Sequence, residues 1–438
     1  MLEPRTSKIG TIQELIDGMA QLRPDDVFLI SPETQRELTF SMLRLQAHYL
    51  YRRLSGMGLL RQDKIAFMMD NGLATAQIFL GLMYGGFVAV PLNVRAGAAQ
   101  LAYTLNHCQA KAVFVSEKYA ALIEEILPLV SAHIAIVPAD IDMLPDSAAV
   151  TDENPPAVTA DDAAMLIYTS GSTGQPKGPI HTHKSILAHG RNSIEAHRLS
   201  AGDRSLLVLP LYHINAECVT LIPALLSGGS VVVPHGFSIS EFWDWLEEYR
   251  CTWSAMVPTI VSQLLDWKDP KAEGRAEAFR RIRFLRSSSG PLSPALHREF
   301  IAKFDLPLIQ AMGSSETGNI FANPVPPGIN KIGSTGLPWG FELKIVDREG
   351  AELPAGEPGE VLLRGDAMMQ GYYNDETATA AALDSEGWLH TGDLAYRDAD
   401  GYLFVVGRSK ELIIKAGDRK STRLNSSHQG TSRMPSSA

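Results

Sequence analysis

One stretch decides the fold of this chain: Leu166-Ile167-Tyr168-Thr169-Ser170-Gly171-Ser172-Thr173-Gly174-Gln175-Pro176-Lys177-Gly178. It begins as an apolar run that is typical of a buried strand and changes abruptly into glycines, hydroxyl side chains and one lysine. Glycines let a backbone approach an anion closely, successive N–H groups and hydroxyls donate hydrogen bonds to it, and a lysine adds a mobile positive charge. A Walker loop is excluded, because that pattern needs Gly-Lys followed by Ser or Thr, whereas Pro176 precedes Lys177 and Gly178 follows it. The stretch therefore predicts a polyphosphate-binding loop. A flexible linker is the alternative, but linkers seldom follow a strand so directly.

Composition is that of an ordinary globular protein and argues against nucleic acid as a partner. The 438 residues predict about two to three domains, with 45% hydrophobic and 20% charged residues. A net charge of −10 means that an anionic substrate such as ATP must be met by local basic groups and a metal ion. The cysteines are far apart and odd in number, which predicts reduced thiols. With no apolar leader and no run long enough to span a bilayer, we expect a cytoplasmic protein without stable membrane insertion.

Helical and strand-like segments alternate on both sides of the glycine loop. Before it, apolar spacing predicts helices at 43–58, 73–86 and 101–107 and strands at 65–69, 88–91 and 112–115. After it, helices are predicted at 184–196, 221–226 and 242–249, and strands at 205–209, 230–233 and 252–256. Such alternation predicts an α/β fold of two stacked subdomains with mainly parallel sheets, with residues 138–160 as a surface connection.

The pattern changes after about residue 331. Residues 341–345 alternate apolar and charged side chains, as a half-exposed antiparallel strand does, and glycines then divide the chain into short strands. We expect a small antiparallel β-barrel subdomain at about 331–407, which completes a large domain of residues 1–407. Residues 408–417 are expected to be a hinge and the start of a C-terminal domain.

Several further motifs follow in order along the chain. They are Leu209-Pro210-Leu211-Tyr212-His213, Gly313-Ser314-Ser315-Glu316-Thr317, Gly359-Glu360-Val361-Leu362-Leu363-Arg364-Gly365, Gly371-Tyr372-Tyr373, Trp388-Leu389-His390-Thr391-Gly392-Asp393 and Gly407-Arg408-Ser409-Lys410-Glu411. With these segments the chain resembles the adenylate-forming superfamily of acyl-CoA synthetases, luciferases and peptide-synthetase adenylation domains, from about Leu38 to Gly417. Because the motifs are several and ordered, the resemblance is far more specific than one glycine loop.

The resemblance implies a reaction and a set of site residues. A carboxylate attacks the α-phosphorus of ATP to give an acyl-adenylate and pyrophosphate, and the acyl group then passes to CoA. The implied catalytic residues are Lys177, His213 and Glu316, and the implied Mg²⁺ ligands are Thr169 and Glu316. ATP binding is implied for Thr169, Ser170, Gly171, Ser172, Thr173, Gly174, Lys177, Ser289, Gly290, Met312, Gly313, Ser314, Ser315, Asp393 and Arg408. The acid pocket is implied for His213, Ile214, Asn215, Gly313 and Gly318, and the hinge for Lys410.

Each implied role has a plainer alternative. Asp393 is also compatible with a turn, His213 with a structural histidine and Glu316 with the start of a helix. The family usually has an aromatic residue against adenine where this chain has Met312. A thioether also packs on an aromatic ring, so we expect an adenine site there.

Residues 418–438 differ in character from the rest. Asp418-Arg419-Lys420-Ser421-Thr422-Arg423-Leu424-Asn425-Ser426-Ser427-His428 resembles an in-frame translation of a common short-read sequencing adapter, and residues 432–438 resemble its distal part. We expect a non-native tail; a natural disordered tail is the alternative. The family's C-terminal domain, which carries a second lysine, would then be missing, and the 438-residue chain alone would bind nucleotide but not complete the reaction.

The favoured function is an AMP-forming acyl-CoA synthetase that uses ATP, Mg²⁺ and CoA. Two alternatives stay open: an adenylation enzyme that loads a carrier protein, and a nucleotide-binding pseudoenzyme. The presence of Lys177, Glu316 and Asp393 counts against the pseudoenzyme. The sequence predicts neither the acid nor the oligomeric state.

Overall fold

The computed structural model describes residues 9–144, 155–169, 175–267, 279–409, 412–415 and 418–421. The helices in chain order are α1 (Ile12–Leu22), α2 (Phe40–Gly56), α3 (Leu73–Tyr84), α4 (Ala98–Cys108), α5 (Ala120–Ile126), α6 (His183–His197), α7 (Ile222–Ser227), α8 (Phe242–Glu248), α9 (Pro258–Asp266), α10 (Pro294–Phe304) and α11 (Glu376–Ala382). A π-helix (Asn215–Leu221) leads directly into α7, and short 3-10 turns lie at Glu117–Tyr119 and Leu127–Leu129.

The strands form three main sheets and one short hairpin. In chain order they are β1 (Val27–Ile30), β2 (Glu37–Thr39), β3 (Lys64–Met68), β4 (Val88–Pro91), β5 (Ala112–Val115), β6 (Ala135–Pro138), β7 (Ala163–Leu166), β8 (Pro179–Thr182), β9 (Arg204–Leu206), β10 (Ser230–Val232), β11 (Trp253–Met256), β12 (Phe284–Ser287), β13 (Leu308–Ser314), β14 (Gly318–Ala322), β15 (Leu337–Pro338), β16 (Glu342–Val346), β17 (Gly359–Arg364), β18 (Gly371–Tyr372), β19 (Leu389–Arg397), β20 (Leu403–Arg408), β21 (Leu412–Lys415) and β22 (Asp418–Ser421).

The first sheet has seven strands in the order β18-β8-β7-β4-β3-β5-β6, and the second has nine in the order β15-β14-β13-β12-β11-β9-β10-β1-β2. Parallel pairing runs from β7 to β6 in the first sheet and from β13 to β1 in the second. The predicted α/β fold with mainly parallel sheets is therefore confirmed. Antiparallel pairs complete both sheets. They are β7–β8 and β8–β18 in the first sheet, and β13–β14, β14–β15 and β1–β2 in the second.

The third sheet is antiparallel, as expected, in the order β16-β17-β19-β20. This order is open over the described residues, so the small subdomain is a sheet instead of a closed barrel. Strands β21 and β22 pair with each other as a separate hairpin. Predicted boundaries also change: for example, the strand predicted at 205–209 ends at Leu206, and the helix predicted at 221–226 begins earlier, as the π-helix.

A helix that is buried on every side lies in the shared core. All twelve residues of α3 are buried, and hydrophobic residues around a whole helix are typical of such a position. Gly81 is the point of closest approach to α2, because a Cβ there would lie 2.6 Å from Leu50 Cδ1. The same hydrophobic cluster includes Phe67 of the first sheet and Val232 of the second, so both large sheets share one core.

Histidines buried on and before α6 make stability depend on pH. Burial lowers the pKa of both His181 and His183 to about 4, and it lowers the pKa of His189 and His197 well below the ordinary value. The unfolded chain takes up protons at these side chains below the ordinary histidine pKa of about 6.5, whereas the folded chain protonates His181 and His183 only at about pH 4. The folded state therefore loses stability as the pH falls through this window, by about 3 kcal/mol for each of His181 and His183.

We expect the melting temperature to fall steeply between about pH 6.5 and pH 4, as measured by thermal unfolding in a series of buffers. His183→Asn is the test variant, because the amide oxygen can replace His183 Nδ1, which accepts the Ile12 N–H at 3.2 Å. A pH dependence as steep in this variant as in the natural chain would exclude His183 as a source of the effect.

Candidate active site

The strands that flank the glycine loop in the sequence pair with each other. Strands β7 and β8 run antiparallel, and Thr169 forms an isolated bridge with Lys177, whose carbonyl accepts the Thr169 N–H at 2.9 Å. The two ends of the predicted phosphate loop are thus held side by side. The predicted contacts of Ser170, Gly171, Ser172, Thr173 and Gly174 lie outside the described residues and stay predictions.

One tyrosine joins the glycine loop to the acidic motif. Lys177 Nζ lies 5.0 Å from the centroid of the Tyr372 ring, and the Tyr372 O–H donates to Glu316 Oε1 at 2.9 Å. Tyr372 reaches this position because β18 pairs with β8, directly after the loop. Burial and the nearby Glu316 carboxylate raise the pKa of Tyr372, so the phenol stays protonated and donates. Sequence reasoning quoted the Gly371-Tyr372-Tyr373 motif but gave Tyr372 no role.

Glu316 lies at the turn between β13 and β14. Its N–H donates to Ser314 Oγ at 3.2 Å, and its carbonyl accepts the Met369 N–H at 2.7 Å. Ser314 Oγ is also 2.9 Å from Thr317 Oγ1. The helix-start alternative is therefore wrong, because the backbone enters and leaves this turn as paired strands. The backbone of Glu316 is thus held at both its N–H and its carbonyl, and this fixes the point from which the carboxylate side chain extends.

Two buried histidines contact this turn and each other. The Ser315 carbonyl is 2.7 Å from His181 Nε2, so Nε2 carries the proton, and His181 Nδ1 accepts from His189 Nε2 at 3.4 Å. Gly318, which has a positive φ of 59°, lies directly on the His189 ring. Sequence reasoning missed this pair, although His181 follows the glycine loop closely in the sequence.

The predicted acid segment leads into the π-helix. His213 is exposed beside the Tyr212 ring, with centroids 4.7 Å apart, and the surrounding protein lowers its pKa, which keeps the imidazole neutral near pH 7. Asn215 is buried and donates to Ser288 Oγ at 2.8 Å and to Ser289 Oγ at 3.4 Å. The structure thus joins Asn215 to the Ser289-Gly290 segment. π-Helical turns are frequent at functional sites.

The predicted ribose-binding pair lies in the third sheet, and Met312 packs against the hydrophobic cluster of that region. Asp393 is opposite Arg408 in the β19–β20 pairing, and Arg408 Nε donates to Asp393 Oδ1 at 2.9 Å. Asp393 is only 6% exposed and lies within β19, so the simple turn alternative is wrong. Met312 is partly buried against the small hydrophobic cluster of this region, which includes Phe321. The predicted hinge residue Lys410 lies outside the described residues.

The sequence pattern of AMP-binding enzymes matches residues 17–373, most of the chain. The chain belongs to the AMP-binding enzyme family. Sulfoacetate–CoA ligase of Cupriavidus necator is 40% identical over 418 residues, which are 94% of this chain and 81% of the relative. Oxalate–CoA ligase of Arabidopsis thaliana is 31% identical over 426 residues, 93% of this chain and 81% of the relative. Among solved structures, the anthranilate CoA ligase AuaEII in complex with anthranoyl-AMP is 25% identical, with a TM-score of 0.84 over 95% of this chain and 82% of that one.

The relatives show which class of reaction this AMP-binding enzyme catalyses. They are CoA ligases, so the enzyme is an acid–thiol ligase whose substrates are an acid, ATP and CoA. Among the described helices of the AMP-binding enzyme, none combines the length and the apolar character needed to cross a bilayer.

Proposed function

We propose that this enzyme activates a carboxylic acid as its acyl-adenylate and then transfers the acyl group to CoA, with the site residues named above in the roles that the resemblance implies. The observation that carries this proposal is the contact chain from Lys177 through Tyr372 to Glu316. It brings together three motifs that lie apart in the sequence, with a positive charge over one tyrosine ring and a carboxylate at the hydroxyl of the same tyrosine.

The residues present fit Mg²⁺ bound together with nucleotide phosphates. Glu316 offers a carboxylate and Thr169 a hydroxyl, both oxygen ligands of the kind that Mg²⁺ prefers. In the described ranges no group of three or more His, Cys, Asp or Glu side chains is arranged to hold a metal. This suits Mg²⁺, which keeps waters and substrate phosphates among its ligands. When bound, the ion would neutralise charge on the phosphoryl oxygens.

The chain's own residues would position the substrates. Lys177 and the loop would hold the β- and γ-phosphates, so that pyrophosphate leaves as an acid oxygen attacks the α-phosphorus. His213, which is neutral and exposed, would lie between the phosphates and the acid. Asp393 would accept hydrogen bonds from the ribose hydroxyls, with Arg408 holding its carboxylate. In the second step the CoA sulfur would attack the acyl carbonyl, and AMP would leave.

The test is AMP release by the natural full-length enzyme with a panel of acids and two acceptors. Because two relatives are named for sulfoacetate and oxalate, the panel begins with small acids and continues with aromatic and long-chain acids. We expect AMP release that requires CoA. Release with an acyl carrier protein but not with CoA would favour a carrier-loading enzyme, and no release with any acid would favour a pseudoenzyme.

Asp393→Asn is expected to raise the KM for ATP about tenfold or more, because hydrogen bonds to a charged group contribute about 1.5–3 kcal/mol. Steady-state kinetics with ATP as the varied substrate measure this effect. Asp398→Asn is the matched control, since Asp398 lies in the same subdomain and pairs with Lys331 instead. Equal KM values for the two variants would remove Asp393 from the nucleotide site.

We also propose a cytoplasmic location. Cys108, Cys218 and Cys251 are all buried and free, which suits a reducing compartment. Burial raises the pKa of Cys108 to about 12, so its thiol stays protonated and unreactive.

A further inference from the structure

A buried arginine beside the acid segment has no anionic partner among the residues that the structure describes. Arg286 is 1% exposed, and its Nη atoms donate to Asn215 Oδ1 at 3.0 Å, Ser288 Oγ at 2.8 Å and Asn319 Oδ1 at 2.9 Å. All three acceptors are neutral oxygens. No carboxylate in the described ranges forms an ion pair with this guanidinium, and burial lowers its pKa to about 9. The guanidinium nevertheless stays protonated near pH 7.

Unused hydrogen-bond donors surround this charge. Arg286 Nε and Asn319 Nδ2 are both buried, and neither has a hydrogen-bond partner within the described part of the chain. Buried donors are normally satisfied, and a buried charge is normally paired, because leaving either unmet costs free energy. The nearest acid in sequence to Asn215 is Glu217, which is also buried. Among the described residues, neither of its side-chain oxygens has a hydrogen-bond partner. Burial raises the pKa of Glu217 well above its ordinary value, and its unpartnered oxygens show that it does not pair with Arg286.

The position of the cluster connects it to the acid pocket. Asn215 begins the π-helix after the acid segment, Ser288 precedes the Ser289-Gly290 segment, and Asn319 follows Gly318 and lies opposite Gly313 in the β13–β14 pairing. Each partner of Arg286 is therefore next to a residue assigned to the acid or its adenylate. No other role in the proposed reaction uses this positive charge.

We propose that the acid activated by this enzyme carries a second anionic group, a carboxylate or sulfonate, and that Arg286 with Asn215, Ser288 and Asn319 recognises it. The inference rests on the proposed function and specifies its substrate class. A second anionic group on the acid provides a counter-charge for the guanidinium. It also provides hydrogen-bond acceptors for the unused Arg286 Nε–H and Asn319 amide donors. A neutral alkyl chain supplies neither, so long-chain fatty acids are excluded from the substrate class.

The first experiment compares pairs of acids of similar length in the natural full-length enzyme. Malonate and sulfoacetate are paired with propionate and butyrate, and pyrophosphate release gives kcat/KM for each. We expect the anionic members to be preferred by about 100-fold or more, since sites built around a polar group strongly reject analogues that lack it. Equal or better use of the neutral acids would overturn this inference while leaving the proposed function intact. No pyrophosphate release with any acid would instead overturn the proposed function.

The second experiment assigns the preference to the cluster. Arg286→Gln is expected to lower the preference for anionic acids at least about tenfold and to leave the KM for ATP within about twofold, whereas Arg286→Lys keeps part of the preference. Arg204→Gln is the matched control, because Arg204 lies in the same sheet and also donates to neutral oxygens, on Ser230 and Tyr249.

A third variant covers the case in which Arg286→Gln does not fold. Asn319→Asp keeps the size of the side chain but places an internal carboxylate 2.9 Å from the guanidinium, where it competes with the anion of the substrate. We expect it to shift the preference toward neutral acids. A folded Asn319→Asp enzyme with unchanged acid preference would contradict the assignment to this cluster.

Discussion

Glu316→Gln is expected to lower the rate of acyl-adenylate formation by about 100- to 1,000-fold, the range found when one preorganised group that stabilises transition-state charge is lost. Glutamine has the same shape and can still accept the Tyr372 O–H, which lies 2.9 Å from Glu316 Oε1. The backbone contacts of residue 316 to Ser314 and Met369 are also unaffected by the change. The loss of activity would therefore report the carboxylate charge and not a displaced turn. Single-turnover adenylate formation in the full-length enzyme measures it.

The matched control removes the hydrogen bond and keeps the charge. Tyr372→Phe deletes the O–H but leaves the ring that lies 5.0 Å from Lys177 Nζ, so we expect a loss of about tenfold. Titration with Mg²⁺ separates the two roles, because Glu316→Gln should raise the Mg²⁺ concentration needed for half-maximal rate and Tyr372→Phe should not. An unchanged Mg²⁺ requirement in Glu316→Gln would remove Glu316 from the metal site.

The elements that the sequence predicted well are those whose signal is local. Helix α3 and the strands on either side of it have strong apolar patterns, although the sequence predicted one apolar face for α3 and the structure buries all of it. The order of motifs likewise indicated the family, because each motif is a short contiguous string. The open third sheet shows the limit of such signals, since strand content alone does not decide whether an antiparallel sheet closes.

The contacts within the site depend on pairings between distant segments. His181 and Ser315 are 134 residues apart, and Tyr372 and Glu316 are 56 apart, so no local period connects them. The sequence did not indicate a role for Arg286, because the function of an arginine in a short apolar strand depends on its neighbours in space. The helix start predicted at residue 221 is wrong, because the π-helix already begins at Asn215. The wider turn of a π-helix does not produce a recognisable apolar spacing in the sequence.

Gly313→Ala is expected to reduce acyl-adenylate formation about 100-fold or more, although residue 313 would carry no new charge or polar group. A Cβ at this position would lie 1.8 Å from the Gly318 carbonyl oxygen and 2.8 Å from its carbon. These are backbone atoms, so the hairpin itself must shift, and Glu316 lies on its turn. Displacements of about 1 Å in reacting groups are enough for losses of this size.

Overpacking costs about 1–3 kcal/mol of stability, so the melting temperature of Gly313→Ala should fall by a few degrees while the protein stays folded. The matched control is Gly97→Ala at the start of α4, where a Cβ meets no atom of the described residues within 4 Å and φ is −69°. We expect that variant to keep its activity within about twofold, because neither a clash nor backbone strain opposes it. Full adenylate formation by a folded Gly313→Ala enzyme would show that the β13–β14 turn tolerates displacement. The carboxylate of Glu316 would then act without the fixed position that the turn gives it.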